Sequence, residues 1–267
     1  MDSTHCAIDL RFLAAAVLAA ASLQSFADSG KCDSRGSQTR VAVLELYTSE
    51  GCDSCPPADR WVSTLPARGF TLERIIPLAF HVDYWDQLGW PDRMARAQFS
   101  ARQRKQAERN HSPIIYTPQL LLNGADLPHL AESRFSERLS DFNRRPTGAE
   151  LLLRQRLVPS GVEVELEVRP LQAAGGHAKT YIAITENGLQ NTIRAGENQG
   201  RLLRHDFVVR DLAGPLPMDD FGRVHWKSTM ALPLEWKRPD LSLVAFAQDE
   251  QSGDILQALH APLCIAR

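Results

Sequence analysis

The sequence predicts an α/β domain followed by an all-β, sandwich-like domain, and three observations carry that expectation. Between residues 41 and 82 an apolar run, a stretch of helical periodicity and a second apolar run follow one another, the order of a βαβ unit. Residues 92–110 and 131–142 then supply two further helical segments around a short strand and hairpin signal. From Glu150 onward helical periodicity gives way to short stretches of alternating polar and apolar residues, separated by turn residues.

The chain has 267 residues, 43% of them hydrophobic, enough for two domains. A formal charge of −2 points to neither nucleic acid nor an acidic membrane surface as a partner. The N-terminus differs from the rest. Arg11 precedes the apolar run 12–21, and Ser25-Phe26-Ala27 places small residues where a signal peptidase reads, so 1–27 is read as a signal peptide. A membrane span needs about 20 apolar residues, and this run is shorter. The expected product is therefore periplasmic or secreted and does not span the membrane once the signal is removed. Residues 28–40 are small, polar and charged, a leader with little to offer a core.

The first domain is expected over 41–146. Its first strand, 41–47, leads through Thr48-Ser49-Glu50-Gly51 into Cys52-Asp53-Ser54-Cys55. Ala58, Trp61, Val62 and Leu65 then recur at helical spacing, and Pro56 and Pro57 fit the first turn, where backbone N–H groups have no intrahelical partner. A helix N-terminus favours a thiolate, so Cys52 is expected to be exposed and nucleophilic, with Cys55 one turn inward to resolve a mixed disulfide. A bare Cys-x-x-Cys is also half a zinc site, so the spacing alone does not decide the chemistry.

The second strand, 75–82, should lie parallel to the first. Beyond its carboxyl end come His81, Asp83, Tyr84, Trp85, Asp86 and Trp90, placed to line a substrate surface, or else to fold onto the core as a turn. The helix 92–110 carries Arg93, Arg96, Arg102, Arg104, Lys105 and Arg109, read as a solvated face rather than as a field acting on the thiol. Pro118 opens the apolar run 114–124, so it must sit at a strand start or in a special turn. Asn123-Gly124 signals a hairpin to a strand at 125–128, and Phe135, Leu139 and Phe142 give the helix 131–142 one apolar face. Residues 144–148 make a linker.

The second domain, 147–262, is expected to hold strands near 150–156, 161–169, 180–186, 205–210, 224–232, 241–248 and 255–259, before a tail at 263–267. The sequence displays no metal-ligand cluster there and no nucleophile beside a base, so this half is expected to present the first domain to a partner.

Export decides how the cysteines are read. Cys6 leaves with the signal, and Cys32, Cys52, Cys55 and Cys264 remain in an oxidising compartment. Proximity favours Cys52 with Cys55, which leaves Cys32 with Cys264; the other reading is two unpaired thiols at the frayed ends.

The strings YTSEGCDSCPPAD, FHVDYWD, GWPDR and YTPQLLLNG resemble those of an exported bacterial family known as domain of unknown function 1223, over nearly all of the mature chain. The order strand, Cys-x-x-Cys, helix, strand, helix, Thr-Pro, strand, hairpin, helix resembles the thioredoxin fold. That resemblance implies a cis Pro118 facing the cysteines and assigns substrate contact to Thr117 and Pro118; Tyr116, His81 and Trp85 are the other residues expected to bind substrate. One departure stands out: thioredoxin places a buried acid six residues before its first cysteine, where this chain has Leu46, and strand alternation turns the adjacent Glu45 to the opposite face.

Residues and resemblance together predict an exported thiol-disulfide oxidoreductase exchanging with protein thiols or disulfides of the cell envelope. Cys52, Cys55 and Pro118 are its catalytic residues, the Cys52–Cys55 disulfide is its redox group, and no separate cofactor or metal is required. Asp53 opposes the Cys52 thiolate, which predicts a redox poise nearer a reductant or isomerase than a strong oxidant. Two other readings stay open: soft-metal binding, copper(I) above all, by Cys52, Cys55 and His81, and a non-catalytic interaction module.

Overall fold

The computed structural model describes residues 31–127, 132–171 and 177–265. The expected signal segment 1–27 with Cys6, the first leader residues, the end of the expected strand at Pro128, the first residue of the helix at Ala131, and the Gly175-Gly176 turn lie outside the described residues, as do the last two residues of the tail.

The leader is not idle. Lys31–Arg35 forms β1, an edge strand. Its alternation is too polar to read as a strand, and it is held by backbone pairing instead and by a disulfide between Cys32 and Cys264 (S–S 1.92 Å, Cα–Cα 5.9 Å).

The core of the first half follows from its branched apolar runs. β2 (Ala42–Thr48) is buried along its whole length, and the chain then passes through α1 (Pro56–Thr64) to β3 (Ile75–His81), also buried throughout. The two strands are parallel, from Ala42 opposite Ile75 to Thr48 opposite His81. Cys55 caps α1, and its prolines occupy the first turn. α2 (Ala97–Arg109) starts later than the Pro91-Asp92 signal suggests, because the Asp92 carboxylate is turned inward to accept from the Glu50 and Met94 N–H groups. β4 (Gln119–Leu122) pairs antiparallel with β2 and turns through Asn123-Gly124 into β5 (Ala125–Asp126). Gly124 has φ +81°, and a Cβ there would lie 2.2 Å from the Gly253 carbonyl, so the turn requires glycine. Residues 114–118 stay outside any strand, with Ile114 and Ile115 exposed. α3 (Glu132–Asn143) buries Phe135, Leu139 and Phe142.

The expected solvated face of α2 needs correction. Arg102 is buried, its Nε and Nη2 donating to the two carboxylate oxygens of Glu45 at 2.8 Å each. Lys105 and Arg109 are paired with Glu250. The run looks solvated only while Glu45, inside an apolar strand, is left without a partner; a buried carboxylate demands one.

The second half supplies β6 (Ala149–Val158), β7 (Gly161–Pro170), β8 (Ala178–Glu186), β9 (Leu189–Thr192), β10 (Leu202–His205), β11 (Val208–Ala213), β12 (Val224–Ala231), β13 (Leu241–Asp249) and β14 (Ile255–Pro262). The expected strand at 205–210 is broken in two, with Phe207 at φ 56° between β10 and β11.

These strands do not build a domain apart. One eight-stranded sheet runs β14-β13-β8-β11-β3-β2-β4-β5, and β11 joins the halves by parallel pairing with β3 at Val208 and Ala79. The boundary expected at residues 146 and 147 therefore separates two runs of sequence, not two sheets. A second sheet, β1-β6-β7-β12, packs over part of the first. β8 and β13 are buried on both faces, as their continuous apolar runs require. Tyr181 and Phe246 face the helices. Ile182, Ile184 and Leu243 face Leu153, Val164 and Leu166 of the four-stranded sheet.

Candidate functional site

Parallel pairing brings the carboxyl ends of β2 and β3 together, and the cysteines follow directly from β2. Cys52 and Cys55 are joined (S–S 2.12 Å, Cα–Cα 5.4 Å) at the start of α1. The Cys55 N–H donates to the Cys52 carbonyl, and the Cys55 carbonyl accepts from the N–H groups of Ala58 and Asp59, opening the helix. Ser54 places its hydroxyl 3.4 Å from the Cys52 sulfur.

The expectation of an exposed Cys52 is overturned: both cysteines have 0% of their surface accessible, although Asp53 and Ser54 between them are exposed. The second half of the chain is tied to the backbone of this loop. β9 and β10 form a separate two-stranded ribbon, and in its loop the buried Asn198 donates through Nδ2 to the carbonyls of Glu50 and Cys52, at 2.8 Å each. Beside it Glu197 accepts from the Asp53 N–H at 3.2 Å. Trp85 lies against the same loop, where a Cβ on Gly51 would lie 3.1 Å from the Trp85 Cβ.

Trp85 also ties the cysteine loop to the proline. Its indole N–H donates to the Thr117 hydroxyl at 2.8 Å, and the Thr117–Pro118 bond is cis. Pro118 precedes Gln119, which lies opposite Tyr47 in the β2–β4 ladder, so it belongs to the cysteine end of the sheet. Tyr116, Thr117, Pro118 and Trp85 are half-buried. The Tyr116 hydroxyl meets both carboxylate oxygens of Asp126, and burial followed by that negative charge pushes its pKa up to about 12.

His81 is not on a substrate surface. It is fully buried, its Nδ1 bonded to Asp92 Oδ2 at 2.6 Å, and it stands edge to face with His205 of β10, ring centroids 4.9 Å apart. His205 lies between two carboxylates, with Nε2 3.3 Å from Glu50 Oε1 and Nδ1 3.5 Å from Asp59 Oδ1. Burial opposes charge on His205, but contacts with Asp59 and Glu50 outweigh it and push its pKa up to about 10. Burial likewise opposes charge on Asp92, yet His81 and the two backbone donors hold its pKa down at about 2.

Glu50, Asp59 and His205 were not singled out from the sequence, since nothing in the local pattern ties residue 205 to residues 50 and 59. The one sequence signal was Glu50 and Asp59 flanking the cysteines. A separate concave surface of about 920 Å³, lined by Arg35, Glu150, Glu167, Met218 and His225 among others, lies on the four-stranded sheet and shares no residue with the cysteine site.

Fold and site define a protein of mixed α/β architecture built around a covered Cys-x-x-Cys disulfide. Residues 43–248 match the family described as protein of unknown function (DUF1223), and the chain belongs to that family. Its fold is similar to that of protein AGR_C_4864 from Agrobacterium tumefaciens, with a TM-score of 0.63 and 24% identity over 86% of this chain and 98% of that one. HBP35 of Porphyromonas gingivalis is also similar, with a TM-score of 0.67 and 15% identity over 87% of this chain and 78% of that one. At these identities the likeness is one of fold alone. No curated protein matches the chain.

Proposed function

We propose that the protein is a thioredoxin-like thiol-disulfide oxidoreductase acting on protein thiols or disulfides in the periplasm or outside the cell. The observation that carries the reading is the Cys52–Cys55 disulfide at the N-terminus of α1, linked through Trp85 to the cis Thr117–Pro118 bond. In the reducing direction the Cys52 thiolate attacks a client disulfide, and a client thiolate leaves and takes up a proton. Cys55 then loses its proton and attacks the Cys52 sulfur. That forms the Cys52–Cys55 bond and releases the second client thiol, so two electrons pass from protein to client. The oxidising direction reverses each step.

Because both sulfurs are covered, exchange requires a movement at the site, and the β9–β10 loop, tied to the Glu50 and Cys52 carbonyls by Asn198, is the segment this reading has move. The second disulfide, Cys32–Cys264, supports an oxidising compartment. Asp53 adjoins Cys52 in sequence and Glu197 brings a second carboxylate to the Asp53 N–H, and these negative charges support a poise toward the reducing end of the range. The test is trapping: the Cys55→Ser variant, incubated with envelope proteins, should accumulate mixed disulfides through Cys52. The Cys52→Ser control should not. Equal capture by both variants, or by neither, rejects the reading.

A further inference from the structure

The buried cluster behind the cysteines has a second chemistry that does not depend on disulfide exchange. One potential ligand atom from each of Asp59, His81 and His205 lies within 4.8 Å of the other two, and all three residues are buried. His81 and Asp59 are held by their other polar atom, and His205 has a carboxylate close to its far nitrogen. Asp92 takes His81 Nδ1 at 2.6 Å, Thr48 Oγ1 donates to Asp59 Oδ2 at 2.9 Å, and Glu50 Oε1 stands 3.3 Å from His205 Nε2. Glu50 is itself fixed through Oε2 by the Trp90 indole N–H and the Asn191 amide.

What remains is His81 Nε2, His205 Nδ1 and Asp59 Oδ1. The two nitrogens are buried and make no hydrogen bond, and neither does His205 Nε2, whose contact with Glu50 is one of charge alone. An imidazole oriented through its far nitrogen by a carboxylate, with the near nitrogen left over, is the arrangement that metal-ligating histidines use, and His81 with Asp92 has it. An unmet buried imidazole nitrogen otherwise costs free energy.

We propose that Asp59, His81 and His205 bind one divalent first-row transition ion of the zinc class. Two nitrogens and one carboxylate oxygen suit such an ion better than calcium or magnesium, which prefer all-oxygen sites. Bonds of about 2.1 Å hold donors no more than about 4.2 Å apart. The 3.5 Å between His205 Nδ1 and Asp59 Oδ1 already meets that limit, and the His81 ligand atom lies within 4.8 Å of both. The ion displaces any proton from His205 Nδ1, and three protein ligands leave a coordination position for water.

The test uses the mature chain in its oxidised form, stripped with chelator and titrated with zinc. One ion per chain is expected, both for the wild type and for the Cys52→Ser, Cys55→Ser double variant. Cobalt in its place should give the visible bands of a nitrogen-oxygen site without thiolate-to-metal charge transfer. Asp92→Asn, which leaves all three ligands in place, should weaken zinc binding about 10- to 100-fold. His81→Gln with His205→Gln should abolish it. If that pair fails to fold, Asp59→Asn, nearly isosteric, replaces it, read by the loss of the cobalt spectrum. No ion bound by the oxidised wild type, binding that disappears without the cysteines, or binding indifferent to Asp92→Asn and to the ligand substitution overturns the proposal.

Discussion

Asn198→Ala tests whether the ribbon from the second half controls access to the cysteines. The side chain is fully buried, and its Nδ2 donates to the Glu50 and Cys52 carbonyls at 2.8 Å each. Alanine leaves the Cys52 carbonyl with the Cys55 N–H but strips the Glu50 carbonyl of the Asn198 amide. Stranding one buried acceptor costs about 1–3 kcal/mol. Taking about 2 kcal/mol as the loss from the closed state, and about 1.4 kcal/mol per tenfold, the population with the ribbon lifted rises about 30-fold. The assay is the rate at which a small dithiol reduces Cys52–Cys55, followed by mass after alkylation, in protein whose circular dichroism shows it folded. A rate about 30-fold above wild type is expected. An unchanged rate in folded protein refutes the claim that Asn198 closes the site.

Arg102→Met removes the cation paired with buried Glu45, leaving it the Tyr47 hydroxyl and the Gln106 amide, and should destabilise the fold by about 3–5 kcal/mol in chemical denaturation. Adding Glu45→Leu should recover most of the loss, and a double variant no better than the single one would show that the pair's charge is not the cause. Cys32→Ser opens a bond spanning a sequence separation of 232 and should cost about 2–5 kcal/mol, read as a lower denaturation midpoint. A midpoint equal to wild type would mean that pairing of β1 with β6 alone holds the leader. The Tyr116 phenol, raised to about 12 against an ordinary 10 by burial and then by Asp126, stays protonated in the fold at pH values where the unfolded chain has begun to ionise. Its contribution to stability is therefore complete below about pH 10 and is lost as pH rises toward 12. The difference in phenolate absorbance between wild type and Asp126→Asn should place the variant's transition lower, and coincident curves would contradict the pairing.

What the sequence made legible was local. Continuous apolar runs gave β2 and β3, alternation gave β6 and β7, and the Cys-x-x-Cys followed by two prolines placed a helix start, because each is a pattern within a few residues. The joining of the halves was not legible: it rests on β11 meeting β3 at Val208 and Ala79, a contact across more than a hundred residues. The same distance hid the site's two most consequential features. Asn198 bonds the Cys52 carbonyl from a polar segment whose local pattern is that of a surface loop, and His205, at the start of an expected strand, reaches Glu50 and Asp59 across more than a hundred residues. Arg102 was misplaced for a related reason, since a helix with this many cations looks solvated until its buried partner, Glu45, is in view.

The most direct measurement of the central claim is the redox equilibrium of Cys52 and Cys55 against glutathione in the wild-type protein, with free thiols counted at each ratio. A single reversible two-electron transition, with the fold retained in both forms and Cys32–Cys264 left oxidised, is the expected result. A Cys52–Cys55 bond that resists every ratio until the protein unfolds would identify it as a structural brace and contradict the exchange chemistry.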